Sequence, residues 1–394
     1  MAQGLGHEDR TPSGNEARYR RRSTPYGGLT WDAAGNLYGA TFNGGKYVGG
    51  IVFELSPATG GGWTETILHT FASGQNPSGR VIIDAAGNLY GATINGGDFK
   101  KGIVYELSPV PGGGWVYKRL HAFGNGKDGA YPNGGLTMDA FGNIYGSTGA
   151  GGVFDGGTIF ELVPSAGGVW ARKLLVQFNP NAPGGGYDPN GDLAIDVVGA
   201  LYGTTMWGGS NPGFGGNGCG TVFKLTPAEG GLWTRSTIHE FGSGTDGVEP
   251  YTGVILDGAG NLYGTTIIGG VYYEGTAYKL THTASGWTQK VLHNFSNNGR
   301  DGENPLTLLQ MDSTGNLYGV TSNGGDNQLG TVFKLTSAAT GAWPETILHR
   351  FDYSTFTDGF YPDGPLIFDA SGNLYGTTTK GGANDVGTVF EITP

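Results

Sequence analysis

The sequence is poor in several features that mark common protein classes. It has a single cysteine, Cys219, which excludes an internal disulfide. No apolar run reaches the roughly 18 residues of a membrane-spanning helix, so we expect no membrane span. Only 14% of the residues are charged, and the formal net charge is −11. This acidic balance argues against a nucleic-acid partner, which would need a basic patch.

Several catalytic and metal-binding motifs are also missing. The chain has no Gly-x-Ser-x-Gly nucleophile elbow, no Cys-x-x-Cys pair and no His-Glu-x-x-His zinc motif. No long segment repeats its apolar residues every 3.6 positions, so helix should be scarce. Residues 1–26 lack the apolar core of a signal peptide, and we interpret them as a polar leader.

What the chain does contain is a repeat of strands and turns. The segment Asp-x-x-Gly-x-apolar-Tyr-Gly-x-Thr-x-x-Gly-Gly occurs seven times, at intervals of 52 to 61 residues. The seven copies begin at Asp32, Asp84, Asp139, Asp196, Asp257, Asp312 and Asp369. A period of this size, built from strands, predicts a closed radial array rather than separate domains.

Each repeat has room for four short strands. In the first repeat these are residues 28–31, 37–41, 50–55 and 63–71, which we label strands A, B, C and D. Asp and Gly between A and B are typical turn residues. Four antiparallel strands in each of seven repeats predict an all-β, seven-bladed β-propeller, formed as one domain by residues 27–394. We expect it to be a monomer.

The seventh repeat lacks a segment for strand D. An unpaired strand edge is a liability in solution, so another part of the chain should cover it. The leader is the only segment left, and we therefore predict that residues around 11–24 pair with blade seven and close the ring.

Four sequence motifs carry a resemblance to a known family. They are Gly-Thr-Val-Phe-Lys-Leu-Thr (220–226, 330–336), Leu-His-x-Phe (68–71, 292–295), Asp-Gly-x-x-Pro (128–132, 301–305) and Asp-x-x-Gly-Asn-Leu-Tyr-Gly-Thr-Thr (257–266, 369–378). With them the chain closely resembles the GloVer-type tandem-repeat proteins of bacteria. The resemblance implies a secreted or surface-linked protein and supplies no catalytic residues; a cytoplasmic location stays open. The strand pattern is also similar to lactonase and lyase propellers, at the level of fold only.

Residues that recur in every repeat are best explained as framework. The seven turn aspartates fit this role, and the seven threonines that end strand B either hydrogen-bond within their blade or line the channel mouth, the first being favoured. Five equivalent histidines on outer strands cannot converge on one metal, and the strand-D tryptophans should pack between blades. The histidines are His69, His121, His239, His293 and His349.

Function should lie where the repeats differ. Between strands B and C, blade four places ten residues, Ser210 to Cys219, where the other blades place four. This loop adds Phe214 close to Trp207, and we interpret it as a binding loop or a neutral insertion. With aromatic residues Tyr272, Tyr273 and Tyr361 from the same face, Trp207 and Phe214 form the predicted substrate-binding set.

Two charged residues open strand A in blades where the other five carry small or apolar residues. They are Arg80 in blade two and Asp192 in blade four. A charge near the channel mouth is costly unless it is paired or functional. We predict Asp192 as a general base or ligand and Arg80 as the stabiliser of an oxyanion; the alternative is that the two pair with each other.

The loops between strands D and A are acidic. Asp128, Asp246, Asp301 and Asp358 all occur in Asp-Gly-x-x-Pro segments. Several carboxylates around one opening suit Ca²⁺, and we predict these four as its ligands. The alternative is that Asp-Gly serves the turn alone.

These observations leave three functions open. The first is a Ca²⁺-assisted hydrolase of a small ester or lactone, with its site at the channel mouth on the face formed by the D–A and B–C loops. The second is a non-catalytic propeller that binds a glycan or a protein through the aromatic residues of that face. The third is a structural spacer without a site.

Overall fold

The structure, a computed structural model, describes residues 24–213, 216–353 and 358–394. These residues form seven antiparallel sheets in strand order A-B-C-D, and the predicted seven-bladed β-propeller is confirmed. Six blades have four strands and blade seven has three. In the described ranges the helices are two short 3-10 turns, Ala166–Gly168 and Glu229–Gly231. No helix there has the length and apolar character needed to cross a membrane.

The strands of equivalent position have similar lengths in all blades except at strand A. Strand A is Thr30–Trp31, Pro77–Ile83, Thr137–Met138, Ala194–Ile195, Ile255–Leu256, Gln310–Met311 and Ile367–Phe368. Strand B is Leu37–Thr41, Leu89–Thr93, Ile144–Thr148, Leu201–Thr205, Leu262–Thr266, Leu317–Thr321 and Leu374–Thr378. Strand C is Ile51–Pro57, Ile103–Pro109, Thr158–Ser165, Thr221–Pro227, Thr276–Thr283, Thr331–Leu335 and Thr388–Ile392. Strand D is Trp63–Thr70, Trp115–Ala122, Val169–Gln177, Trp233–Glu240, Gly286–Asn294 and Glu345–Arg350.

The chain divides into two compact units. Gly124–Arg350 holds blades three to six, and Met1–Phe123 with Phe351–Pro394 holds blades seven, one and two. Within the second unit the first and last blades touch, since Thr377 Oγ1 donates to the Gly27 carbonyl at 3.3 Å. The predicted closing strand around 11–24 lies outside the described residues except for Thr24, whose carbonyl accepts the Phe42 amide at 2.7 Å.

The A–B turn is built on its aspartate, as the sequence predicts. In blade five, Asp257 Oδ1 accepts the amides of Ala259 and Asn261, both at 2.9 Å. Its Oδ2 accepts the side chains of Asn261 at 2.7 Å and Tyr263 at 3.0 Å. One carboxylate thus satisfies donors from the turn and from strand B, which explains why the turn needs Asp at this position.

The repeated threonines also serve the framework. Thr205 Oγ1 lies 2.8 Å from Thr221 Oγ1 on strand C of the same blade, and Thr266 and Thr276 form the same pair at 2.9 Å. All four side chains are buried. The favoured prediction, hydrogen bonding within each blade, is therefore confirmed.

Aromatic rings join neighbouring blades. The Phe223 ring of strand C lies across Gly203 of strand B, where a Cβ would be 2.6 Å from its tip. On the other side of Phe223 packs Phe178, which follows strand D of the preceding blade, with ring centroids 5.3 Å apart. Strand-D tryptophans bridge blades as predicted, for example Trp233 against Tyr145 at 6.2 Å.

The D–A and B–C loops meet on one face. Short two-residue strands join them within a blade, as when Gly186–Tyr187 pairs with Trp207–Gly208. The same pairing occurs in three further blades, as Gly129–Ala130 with Ala150–Gly151, Gly302–Glu303 with Asn323–Gly324, and Gly359–Phe360 with Lys380–Gly381. We call the surface formed by the D–A and B–C loops of a blade its loop face.

The turn carboxylate gives a test of the framework. Replacing Asp257 with Ala should lower the free energy of unfolding by about 1–3 kcal/mol, because the donors it satisfies lose their acceptor. Chemical denaturation measures this change. Gly258→Ala is the matched control, since a Cβ there meets nothing within 4 Å and the backbone needs no positive φ. Equal effects of the two substitutions would contradict the role given to Asp257.

Candidate functional site

The residue before the D–A proline has an unusual backbone in six blades. Its φ lies between 53° and 60°, although none of the six is glycine. These residues, the pre-proline positions, are Asn76, Tyr131, Asp188, Glu249, Asn304 and Tyr361. Left-handed backbone is uncommon for residues other than glycine, and residues in sparsely populated backbone regions cluster at functional sites. Their side chains differ from blade to blade, so the sequence gives no sign that they share a backbone conformation.

Main-chain hydrogen bonds hold each pre-proline position in place. In blade four, the Asp188 amide donates to the Gly156 carbonyl at 2.8 Å, and the Asp188 carbonyl accepts the Met206 amide at 3.0 Å. Met206 directly follows strand B, so the rigid sheet fixes the loop. These main-chain hydrogen bonds fix the backbone of Asp188, and they do not involve its carboxyl group.

Asp188 is the pre-proline residue with the most perturbed carboxyl. Burial raises the pKa of Asp188 to about 6, against a smaller opposing effect of its hydrogen bond with Asn190. Its Oδ1 packs on Gly149 of blade three, where a Cβ would lie only 2.7 Å away. The other blades have a side chain at this position after strand B, so the space for Asp188 exists because residue 149 is glycine.

Two amide side chains complete this cluster. Asn133 Nδ2 donates to Asn190 Oδ1 at 2.8 Å. Both atoms also lie against Gly149, within 3.0 Å of the place a Cβ would take. A carboxyl with a pKa near neutrality, flanked by amide groups, is the arrangement expected of a proton-transfer site.

The two predicted catalytic residues lie in different compact units. Asp192 is half-buried two residues before strand A of blade four, and its Oδ1 accepts the Gly135 amide at 2.6 Å. Arg80 is half-buried within the longer strand A of blade two. The catalytic roles given to both residues stay predictions.

The four predicted calcium ligands have separate partners. Asp128 Oδ1 lies 3.4 Å from Arg172 Nε, and Asp246 Oδ2 lies 3.1 Å from His239 Nε2. Asp301 contacts His293, and Asp358 accepts the Asp352 amide at 3.2 Å. A guanidinium and two histidines beside these carboxylates do not fit a shared Ca²⁺ ligand set. The calcium ion itself stays a prediction.

One group of potential metal ligands does occur in the described part of the chain. His293, Asp301 and Glu345 place one ligand atom each within 4.8 Å of one another. Burial raises the pKa of Glu345, an effect that His293 opposes and Asp301 reinforces. Burial would lower the pKa of His293, but its hydrogen bond to Asp301 and the two negative charges raise it. Sequence reasoning treated His293 as framework and missed this group.

Further acids on the loop face are also perturbed. Burial raises the pKa of Glu249, and burial together with the nearby charge of Glu303 raises that of Glu274. Glu303 is only 6% exposed, in a short strand where blades three, five and seven carry Ala130, Val248 and Phe360. Perturbed carboxyls concentrated on one face of blades four to six support a functional role for that face.

The predicted substrate-binding residues differ in exposure. Tyr272 and Tyr273 are 57% and 69% exposed, whereas Trp207 and Tyr361 are half-buried. The Lys380 ammonium lies 5.5 Å from the centre of the Tyr361 ring. Phe214 lies outside the described residues.

The long B–C loop of blade four folds back on its own blade. The Ser210 amide donates to Glu240 at 2.6 Å, and the Gly208 amide donates to the Asn217 carbonyl at 2.8 Å. Cys219 is buried in the core, and burial raises the pKa of its thiol. A buried thiol of this kind is a poor nucleophile, so the cysteine belongs to the packing.

Comparison with known proteins identifies a family for almost the whole chain. The Gloeobacter/Verrucomicrobia repeat matches residues 24–235 and 199–394. No curated protein is significantly similar to the chain in sequence.

Comparison with solved structures gives matches of low identity, and one of them has a TM-score above 0.5. An ancestral GH74 enzyme is 13% identical with a TM-score of 0.59, over 95% of this chain and 48% of that enzyme. A gluconolactonase from Xanthomonas campestris is 14% identical with a TM-score of 0.42, over 80% of this chain and 84% of the other. A protein of unknown function from Dyadobacter fermentans is 12% identical with a TM-score of 0.45, over 100% and 98%. Identities this low show the fold alone.

The raised pKa of Asp188 gives a test by pH. Burial raises its pKa from the ordinary value of 3.8 to about 6 in the folded protein. Ionisation of Asp188 therefore destabilises the folded state, and the free energy of unfolding falls as the pH rises from about 4 to about 6. Asp188→Asn should match the wild type at pH 4 and exceed it at pH 7.5 by on the order of 2 kcal/mol. Asparagine also tolerates the left-handed backbone.

Chemical denaturation at the two pH values measures the difference. Asp385→Asn is the control, because Asp385 has the same left-handed backbone, with φ of 52°, but is exposed. If both substitutions shift stability equally at both pH values, the burial assigned to Asp188 is wrong.

Proposed function

The chain belongs to the Gloeobacter/Verrucomicrobia repeat family, and for this member we propose hydrolysis of a small ester or lactone at the loop face of blade four. The proposal rests on Asp188, whose carboxyl has a pKa of about 6 because it is buried. A general acid or base works best when its pKa lies near the working pH. The strained pre-proline backbone holds this carboxyl in place before any substrate arrives.

The chemistry follows from the groups around Asp188. Its ionised carboxylate removes a proton from water as the water oxygen attacks the carbonyl carbon of the substrate. The negative charge that develops on the carbonyl oxygen needs hydrogen-bond donors, which the amide groups of Asn133 and Asn190 supply. When the tetrahedral intermediate collapses, Asp188 returns the proton to the departing alkoxide, and the carbon–oxygen bond breaks.

Asp188 is a better base in this proposal than Asp192. The Oδ1 atom of Asp192 already accepts the Gly135 amide at 2.6 Å, which ties it to the neighbouring blade. We therefore propose Asp192 as a positioning residue that joins blades three and four beside the site. Arg80 belongs to the other compact unit and takes no step in this reaction, and its oxyanion role stays a separate prediction.

Calcium takes no step in this mechanism. The four aspartates predicted as its ligands have partners of their own. Activity measured in EDTA tests this point. Loss of activity would indicate that an ion is needed, and unchanged activity would support the metal-free reaction.

A second candidate function is glycan binding by the B–C loops. Exposed aromatic side chains stand on these loops in several blades, and sugar rings stack on such surfaces. They are Tyr47, Phe99, Phe154, Tyr272 and Tyr273, between 47% and 69% exposed. This function would suit the secreted or surface-linked location that we propose for the protein.

The hydrolase proposal predicts a loss of turnover on substitution of one carboxyl. With a panel of short-chain aryl esters and lactones, Asp188→Asn should lower kcat about 100-fold or more, because the general base is gone. The rate of the wild type should rise with pH around an apparent pKa of about 6. Asp385→Asn should leave both the rate and its pH profile unchanged. Full activity of Asp188→Asn, or no turnover of any substrate by the wild type, would end the proposal.

The binding candidate predicts a loss of affinity without any turnover. Tyr272→Ala with Tyr273→Ala should remove glycan binding seen on an array or by calorimetry, since the stacking surface of blade five is lost. Val271→Ala, at an exposed neighbour on the same loop, is the control. An array on which the wild type binds nothing, or equal binding by the double variant, would speak against this candidate.

A further inference from the structure

Neighbouring blades meet through a recurring contact on their outer strands. In several blades the histidine of strand D, or the aspartate of the following D–A loop, contacts strand D of the next blade. The residue that meets them lies two positions after the strand-D tryptophan. In successive blades it is Tyr117, Arg172, Arg235, Gln289 and Glu345. Because the position is the same each time, the side chains can be compared directly.

Most of these contacts are satisfied by the residue present. Tyr117 stacks on His69 with ring centroids 4.4 Å apart and an angle of 7°. Arg172 reaches the Asp128 carboxylate at 3.4 Å. Gln289 donates to the Asp246 carbonyl at 3.3 Å, beside the His239–Asp246 pair. Tyr117 thus supplies a ring to an imidazole, Arg172 a positive charge to a carboxylate, and Gln289 a donor to a main-chain carbonyl.

The contact between blades five and six is different because it adds a second carboxylate. Glu345 Oε1 lies 3.6 Å from His293 Nε2, which is 3.3 Å from Asp301 Oδ2. Glu345 Oε1 is buried and has no hydrogen-bond partner among the described residues. A buried carboxylate oxygen without a hydrogen-bond donor is costly, and here two carboxylates share the single imidazole of His293.

Arg350 does not fill this gap. Its guanidinium donates twice to the Arg300 carbonyl, at 3.1 and 2.9 Å, and its Nε lies 3.8 Å from Asp326. The guanidinium of Arg350, five residues after Glu345, therefore donates its hydrogen bonds to other acceptors.

The two separations measured from His293 fit a metal ion, and all three ligand atoms lie within 4.8 Å of one another. Ligands at about 2.1 Å from a tetrahedral Zn²⁺ lie about 3.4 Å from one another, close to the 3.3 and 3.6 Å separations around His293. One imidazole and two carboxylates are ordinary zinc ligands, and together they neutralise the charge of a divalent ion.

The surroundings would orient these ligands. Ser296 donates to Asp301 Oδ2 from both its amide and its hydroxyl, at 3.0 Å, and the Gly302 amide donates to Oδ1 at 2.7 Å. Such outer hydrogen bonds are a regular feature of metal sites. The side chains of Glu345 and His293 are 14% and 18% exposed, which leaves an entry path and room for a water as fourth ligand.

We propose that His293, Asp301 and Glu345 bind a divalent transition-metal ion of the zinc type between blades five and six. The site is separate from the loop-face cluster of Asp188, and the inference does not depend on the proposed hydrolase. The ion would join strand D of blade five to strand D of blade six, and would stabilise the folded chain by binding it and not the unfolded one.

The experiment uses the full chain, purified without a histidine tag and treated with chelator. ZnCl₂ titrated by calorimetry should bind with one ion per chain and should raise the melting temperature. Glu345→Gln should weaken binding by more than about 10-fold, since loss of a ligand costs more than loss of an outer partner. It should fold normally, because Gln289 occupies the same position in the neighbouring blade.

The neighbouring blade also offers a gain-of-site variant. Gln289→Glu places a carboxylate beside His239 and Asp246, which lie 3.1 Å apart, and should raise the stoichiometry to two ions per chain. No zinc binding by the wild type would overturn the proposal. Equal affinity of the wild type and Glu345→Gln would also overturn it, because the ion would then be held by other surface groups.

Discussion

The packing of one aromatic ring against a glycine sets the distance between strands and between blades. Phe223 crosses strand B at Gly203, where a Cβ would be 2.6 Å from the ring, and Phe178 of the previous blade closes over its other side. Both rings are almost fully buried. The ring can occupy this place only if the strand beneath it has no side chain. Equivalent rings occur in all seven blades, as Phe53, Tyr105, Phe160, Phe223, Tyr278, Phe333 and Phe390.

Because ring packing and main-chain hydrogen bonds fix the blades, a single side chain can differ between blades while the backbone stays the same. The pre-proline backbone of Asp188 is held by the Gly156 carbonyl and the Met206 amide, neither of which depends on the aspartate side chain. The carboxyl then finds its buried place because residue 149 is glycine in blade three. Glu345 is a second example: it occupies a strand-D position that recurs in every four-stranded blade, and it brings a second carboxylate to His293. Both proposed sites therefore depend on single residues that differ between otherwise equivalent blades.

The sequence was sufficient for the fold and only partly for the site. The Asp-to-Gly-Gly repeat predicted seven blades because its turn, strand and threonine residues each have a local hydrogen-bonding role. Asp188 could not be singled out, because its raised pKa depends on the space at Gly149, 39 residues earlier in the chain. His293 and Glu345 are 52 residues apart and meet only through the packing of adjacent blades. The shared calcium site stays a prediction: the four aspartates recur in the sequence, but Asp128 and Asp246 each contact a basic or histidine partner of their own.

At the left-handed pre-proline positions, the side chain can change during evolution without changing the backbone hydrogen bonds that fold the loop. Asparagine, tyrosine, aspartate and glutamate occupy the same backbone conformation in different blades of one molecule. A single codon change there would alter the charge or shape offered to a ligand while the hydrogen bonds of the loop persist. Under the proposed function, copies of the gene would diverge in ligand specificity through these positions while their folds stay the same.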